Sequence, residues 1–132
     1  MSNHIHLIIS KTSNDINFSD IMRDFKKFTA MNIIKNIKES TQESRKVWLL
    51  NAMLKAGKKN INNKNYQLWQ QHNHPIQIEG SMIDQKLDYI HNNPVKAGWV
   101  LEPHEFYYSS ARNYTGLDSP LKITSIYDGT LI

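Results

Sequence analysis

The chain has 132 residues, a net charge of +4 and a pI near 9.3, one domain's worth of sequence on the usual scale of about 100 to 200 residues. Cysteine is absent, which excludes a disulfide framework, a thiolate nucleophile and a thiolate metal site. Apolar runs reach only about four or five residues, far short of the roughly 20 that span a bilayer or the 7 to 15 of a signal peptide, so the expectation is a cytoplasmic protein with no membrane partner and a moderate tilt towards polyanions.

In chain order, Asn3 to Ile9 alternates, placing His4, His6 and Ile8 on one face and Ile5, Leu7 and Ile9 on the other, which predicts a strand. From Phe18 to about Lys38, Ile21, Met22, Phe25, Phe28 and Ile33 recur at helical spacing and predict an amphipathic helix. Ser40 and Glu43 have the spacing of a capping box, opening a helix that carries Val47, Trp48, Leu50 and Leu54 and stops at Gly57. Residues 57–65 are polar and basic and read as a solvated loop. Strands are expected at Tyr66–Gln70 and, beyond Pro75, at Ile76–Ile78. Ser81 caps a helix with an Ile83, Leu87 and Ile90 stripe, which Pro94 ends or bends. Residues 116–132 read as a C-terminal tail of a single domain covering 1–132.

Histidines at i and i+2 of a strand project from one face about 6 to 7 Å apart, so His4 and His6 either share a cation or are simply two polar residues on an exposed face. Tyr89 and Asn93 stand at i and i+4 on the Ser81 helix, on one side of it and out of register with the apolar stripe. His72-Asn73-His74-Pro75 repeats the spacing, but with Asn between the imidazoles and Pro after them it reads as loop surface. His91, about 200° round the helix from Tyr89, is expected to point away from it.

The strings Met1-Ser2-Asn3-His4-Ile5-His6-Leu7, Leu68-Trp69-Gln70, Tyr89-Ile90-His91-Asn92-Asn93-Pro94-Val95-Lys96-Ala97-Gly98 and Tyr108-Ser109-Ser110-Ala111 together resemble the REP-associated tyrosine transposases, single-tyrosine relatives of the wider group named for a His-hydrophobic-His motif. The resemblance implies an α+β fold, a ferredoxin-like antiparallel sheet with helices packed on it. It implies cleavage and rejoining of single-stranded or hairpin DNA through a covalent 5′-phosphotyrosine. Tyr89 matches the nucleophile, and His4, His6 and Asn93 match the ligands of a divalent metal, Mg²⁺ or Mn²⁺. Lys26, Lys27, Lys58, Lys59, Lys96 and Arg112 are the expected phosphate contacts, and Lys86 and Lys96 the cations that could help Tyr89 lose its proton. In those relatives a strand and a helix precede the His-hydrophobic-His strand, whereas here the motif begins at residue 4, so the expectation is a fold N-terminally truncated relative to the family: either the chain is a fragment or misassigned reading frame, or another subunit, as in a homodimer, supplies the missing strand.

Rival readings are a replication or conjugation nickase and a single-stranded nucleic-acid-binding module without catalysis, the latter stacking bases on Tyr66 and Trp69. A free amine at Ser2 together with His4 would be a rival chelate for Cu(II) or Ni(II).

Overall fold

A computed structural model describes residues 3–61 and 65–127. The order of elements is α1 (Phe18–Glu39), α2 (Lys46–Lys58), α3 (Met82–Lys96), a 3₁₀ turn (Pro103–Glu105) and α4 (Ala111–Tyr114). The chain divides into two compact units, one made of Met1–Ser10 with Ile76–Ile132 and the other of Lys11–Pro75.

The ferredoxin-like sheet expected from the resemblance is not observed: the described residues are helical and contain no strand and no sheet. The three predicted strands, at 3–9, 66–70 and 76–78, are not strands but irregular coil with bends at Asn3 and Trp69. Alternation assigns faces, but a strand also needs a second strand to take up its N–H and C=O groups. Helices meet that need within their own turns, which is why the helical readings fared better.

In the 11–75 unit, the Asn17 side chain caps α1 by accepting from Ser19 N at 2.9 Å. Ile21, Met22 and Phe25 are partly covered, whereas Phe28 (64% exposed) and Ile33 (39%) of the predicted stripe are open. The Ser40 hydroxyl accepts from Gln42 N and Glu43 N, as half of a capping box, but α2 begins only at Lys46. The Ser40 N–H is already donated to Asn36 O, and the Glu43 carboxylate turns to Arg45 instead, with N at 2.9 Å and Nε at 3.2 Å. Gly57 lies inside α2 and does not end it. A Cβ there would stand 1.6 Å from Asn65 O, so the glycine is required by a close backbone approach. Residues 65–70 lie along α2 and α1: Gln67 N donates to Met53 O at 2.9 Å, and the Trp69 indole donates to Thr29 Oγ1 at 2.8 Å while its ring meets Phe25.

In the other unit, α3 presents Leu87 to a small core shared with Asn93, Pro94, Ser109 and Ala111. Pro94 does not end the helix. A proline near a C-terminus forfeits only its own donor, and the helix runs on to Lys96 before closing with Gly98 N to Val95 O (2.9 Å) and Trp99 N to Pro94 O (3.0 Å). Gly98 takes φ +71° to make that closure. His91 Nε2 pairs with Ser110 Oγ at 2.9 Å and its ring packs on Tyr114, tying α3 to α4. Residues beyond 116 are held as well, by Asn113 Nδ2 to Leu121 O, Ile126 N to Tyr114 Oη and Tyr127 Oη to Asp84.

Candidate active site

His4, His6, Tyr89 and Asn93 all fall in the unit that joins residues 1–10 to 76–132. In 3–10, which is not a strand, His6 and Ile8 are partly covered, whereas His4, placed on the same face by the alternation, is exposed along with Ile5, Leu7 and Ile9 (47%, 51% and 41%). The two imidazoles meet edge to face with centroids 5.0 Å apart. The His6 ring in turn stands edge-on to Tyr89 at 5.5 Å, so residues more than eighty positions apart in sequence are in contact.

Partial burial, and secondarily the neighbouring His4, hold the His6 pKa below its ordinary 6.5, which favours the neutral ring that a cation can use. His6 Nε2 is buried without a hydrogen-bond partner, and so is Nδ2 of the buried Asn93 amide. Buried polar atoms left unpaired are costly and call for a missing partner. A half-turn of the Asn93 amide exchanges its nitrogen and oxygen, so the same position can offer an oxygen to a cation. The exposed His4 is oriented by Nδ1 on Asn3 Oδ1 at 2.6 Å, the kind of outer contact that fixes which nitrogen a ligating imidazole has free. Among the described residues no three His, Cys, Asp or Glu side chains gather at one point, and two imidazoles with one amide would leave a divalent cation its full charge and open positions. These donor types suit a weakly held divalent ion, and of the three candidates it is the His4 and His6 rings that are in contact with one another. Ser2, on which the rival chelate depends, lies outside the described residues.

Tyr89 is 48% exposed at the side of α3. Lys96 Nζ lies 5.9 Å from its ring centre, whereas Lys86 makes no such approach. Gln85, Asp88, Tyr89, Asn92 and Lys96 line one shallow groove of about 290 Å³. Gln85 and Asn92 stand four residues before and three after Tyr89, helical spacings that mark them as its neighbours, whereas Asp88, adjacent to Tyr89 in sequence, carried no such signal. His91 points to Ser110, away from Tyr89, and Tyr114 is engaged with His91 and Tyr127. His72 and His74 lie in exposed coil.

The expected phosphate contacts divide. Lys96 borders the tyrosine, and Lys27, Lys58 and Lys59 are exposed in the 11–75 unit. Lys26 is engaged by Gln70 O at 2.6 Å, and Arg112 by Asp118 O at 2.6 Å and His104 O at 3.0 Å, so both side chains serve as clips. Trp69 is occupied by Thr29 and Phe25, and Lys38 Nζ lies 4.5 Å over the Tyr66 ring.

Compared with known proteins, the chain matches no family model, no curated protein and no solved structure. Among the described residues no helix is long and apolar enough to cross a membrane.

Proposed function

We propose that this chain cleaves and rejoins single-stranded, hairpin-bearing DNA by transferring the broken strand to Tyr89, the chemistry of the REP-associated tyrosine transposases that its motifs resemble. The observation that carries the reading is the contact of His6 with Tyr89, at which His6 Nε2 is buried and unpaired.

In the first half-reaction Tyr89 Oη attacks the scissile phosphorus, forming a bond to the 5′-phosphate as the 3′-oxygen leaves with its electron pair and takes up a proton. The phenolic proton passes to solvent, and Lys96 Nζ stands 5.9 Å from the ring centre. In the second half-reaction a 3′-hydroxyl attacks the phosphotyrosine, which restores the phosphodiester and returns the phenol. The covalent intermediate conserves the bond energy, so no nucleotide triphosphate is consumed. His4, His6 and Asn93 would hold a divalent ion, Mg²⁺ or Mn²⁺, whose contribution when bound is to neutralise charge at the scissile phosphate. His6, kept neutral by its burial, presents its free Nε2 for that purpose, and Asn3 orients His4.

The test is covalent capture: labelled hairpin single-stranded DNA incubated with the protein and Mn²⁺ yields an adduct stable to denaturing electrophoresis, and Tyr89→Phe abolishes it. An adduct that survives Tyr89→Phe but disappears with Tyr107→Phe, Tyr108→Phe or Tyr114→Phe moves the nucleophile. DNA binding with no adduct at all favours a binding module without catalysis.

A further inference from the structure

The groove beside Tyr89 has a polarity along α3 that the cleavage reaction does not require. Along α3 its lining runs from the Gln85 amide through the Asp88 carboxylate and the Asn92 amide to the Lys96 ammonium. Asn92 Nδ2 donates to Asp88 O at 2.9 Å, which commits the amide nitrogen to the helix backbone and leaves Oδ1 as the principal group for a ligand. Asp88 is an acceptor only when ionised. The groove therefore offers acceptors towards its middle and one strong donor at its C-terminal end, four residues or about 6 Å along the axis from Asn92.

We propose that this groove seats one nucleotide of the single strand next to the phosphate that Tyr89 attacks, with the nucleotide's phosphate on Lys96 and an exocyclic amino group on Asn92 and Asp88. The inference rests on the reading of the chain as a single-strand DNA enzyme, and it adds a preference: adenine or cytosine over hypoxanthine, thymine or uracil, the keto bases that carry no exocyclic amine, at that position. The exocyclic amines of adenine and cytosine project beyond the ring edge, where an acceptor can reach them. The imino N–H of a keto base is recessed beside carbonyl oxygens, which a carboxylate repels. Asn92 is thus a specificity-determining residue. Lys96 places the nucleotide through its phosphate, a salt-sensitive contact that carries no base preference.

The test uses the full chain in chelator, so that no strand is cut, and fluorescent oligonucleotides in which isolated dA, dC, dI or dU nucleotides alternate with abasic sites. Binding followed by anisotropy favours dA over dI and dC over dU by about tenfold, the size of one good hydrogen bond to a base. Asn92→Ala removes the preference with little loss of dI and dU binding, and Asn92→Asp, which keeps the acceptor, retains it. Lys96→Ala weakens all four alike and lowers the salt dependence. Equal binding of amino and keto bases, a preference that survives Asn92→Ala, or no binding by any of the four oligonucleotides overturns the proposal. The Tyr89 adduct assay run alongside separates the two readings: an adduct without base preference leaves the cleavage reading standing and removes the groove's role, and base preference without an adduct does the reverse.

Discussion

Residues 3–10 and 65–70 pose the same problem and meet it differently. Both alternate in sequence, and among the described residues neither forms a strand. The 65–70 segment is docked on helices by a backbone bond, Gln67 N to Met53 O, by the Trp69 indole on Thr29, and by the close approach of Asn65 O to Gly57. The 3–10 segment is in contact with α3 through the His6 ring, and its Ile5, Leu7 and Ile9 face is open. The difference teaches that a segment without a sheet is as well fixed as the side-chain and backbone contacts that a neighbouring helix happens to offer. In this chain the better-anchored segment serves structure, and the loosely anchored one carries the candidate ligands.

The contrast is broken most severely at Gly57. Gly57→Ala drives a Cβ into the Asn65 carbonyl, and a loss of about 3 kcal/mol, or release of 65–70, is expected from overpacking against backbone. Chemical denaturation and Trp69 fluorescence read the two outcomes. Leu87→Ala empties the small core beneath the tyrosine helix and costs about 2 to 4 kcal/mol, whereas Leu7→Ala on the open face of 3–10 changes stability by less than about 0.5 kcal/mol. A comparable loss at both positions, measured by urea melts, would show that the open face is covered in solution.

Trp69→Phe keeps most of the ring but deletes the indole N–H that holds 65–70 to α1, at a cost of about 1 kcal/mol, readable as a shift in the denaturation midpoint. No equivalent loss is expected from Asn3→Ala, which frees the His4 ring without unfolding anything. Its effect falls on Mn²⁺ affinity, measured by titration with and without DNA.

The smallest effect is a pH dependence. Burial holds the His91 pKa below 6.5, against a partial opposing pull from Asp88, and burial likewise lowers that of His6. A group whose pKa is depressed on folding binds its proton more readily when unfolded. The stability it contributes is therefore fully present above about pH 6.5 and is lost as pH falls through the window down to the folded value. Thermal melts followed by circular dichroism should move down between pH 7.5 and 5, and His91→Gln should flatten part of that slope. A midpoint that rises on acidification contradicts the assignment.

The periods of α1 and α3 were legible in the sequence to within a few residues, because a helix meets its backbone needs within its own turns, whereas the short α4 was not read and the Asn17 cap and the Gly98 closure were found only in the structure. The start of α2 was not legible, because the Ser40 N–H went to α1 and Glu43 turned to Arg45. Nor were the fates of the expected strands, which depend on partners remote in sequence.

The sequence by itself determined the periods, and with them the longer helices and the pairings of neighbours along one element. Only the tertiary structure decided that Gly57 is a point of close approach, that Lys26 and Arg112 are clips on carbonyl oxygens, and that Trp69 is spent on α1. It alone decided that His6 meets Tyr89. Those outcomes rest on contacts between residues far apart in the chain, and such contacts are set by which surfaces remain to be covered once each local element has formed.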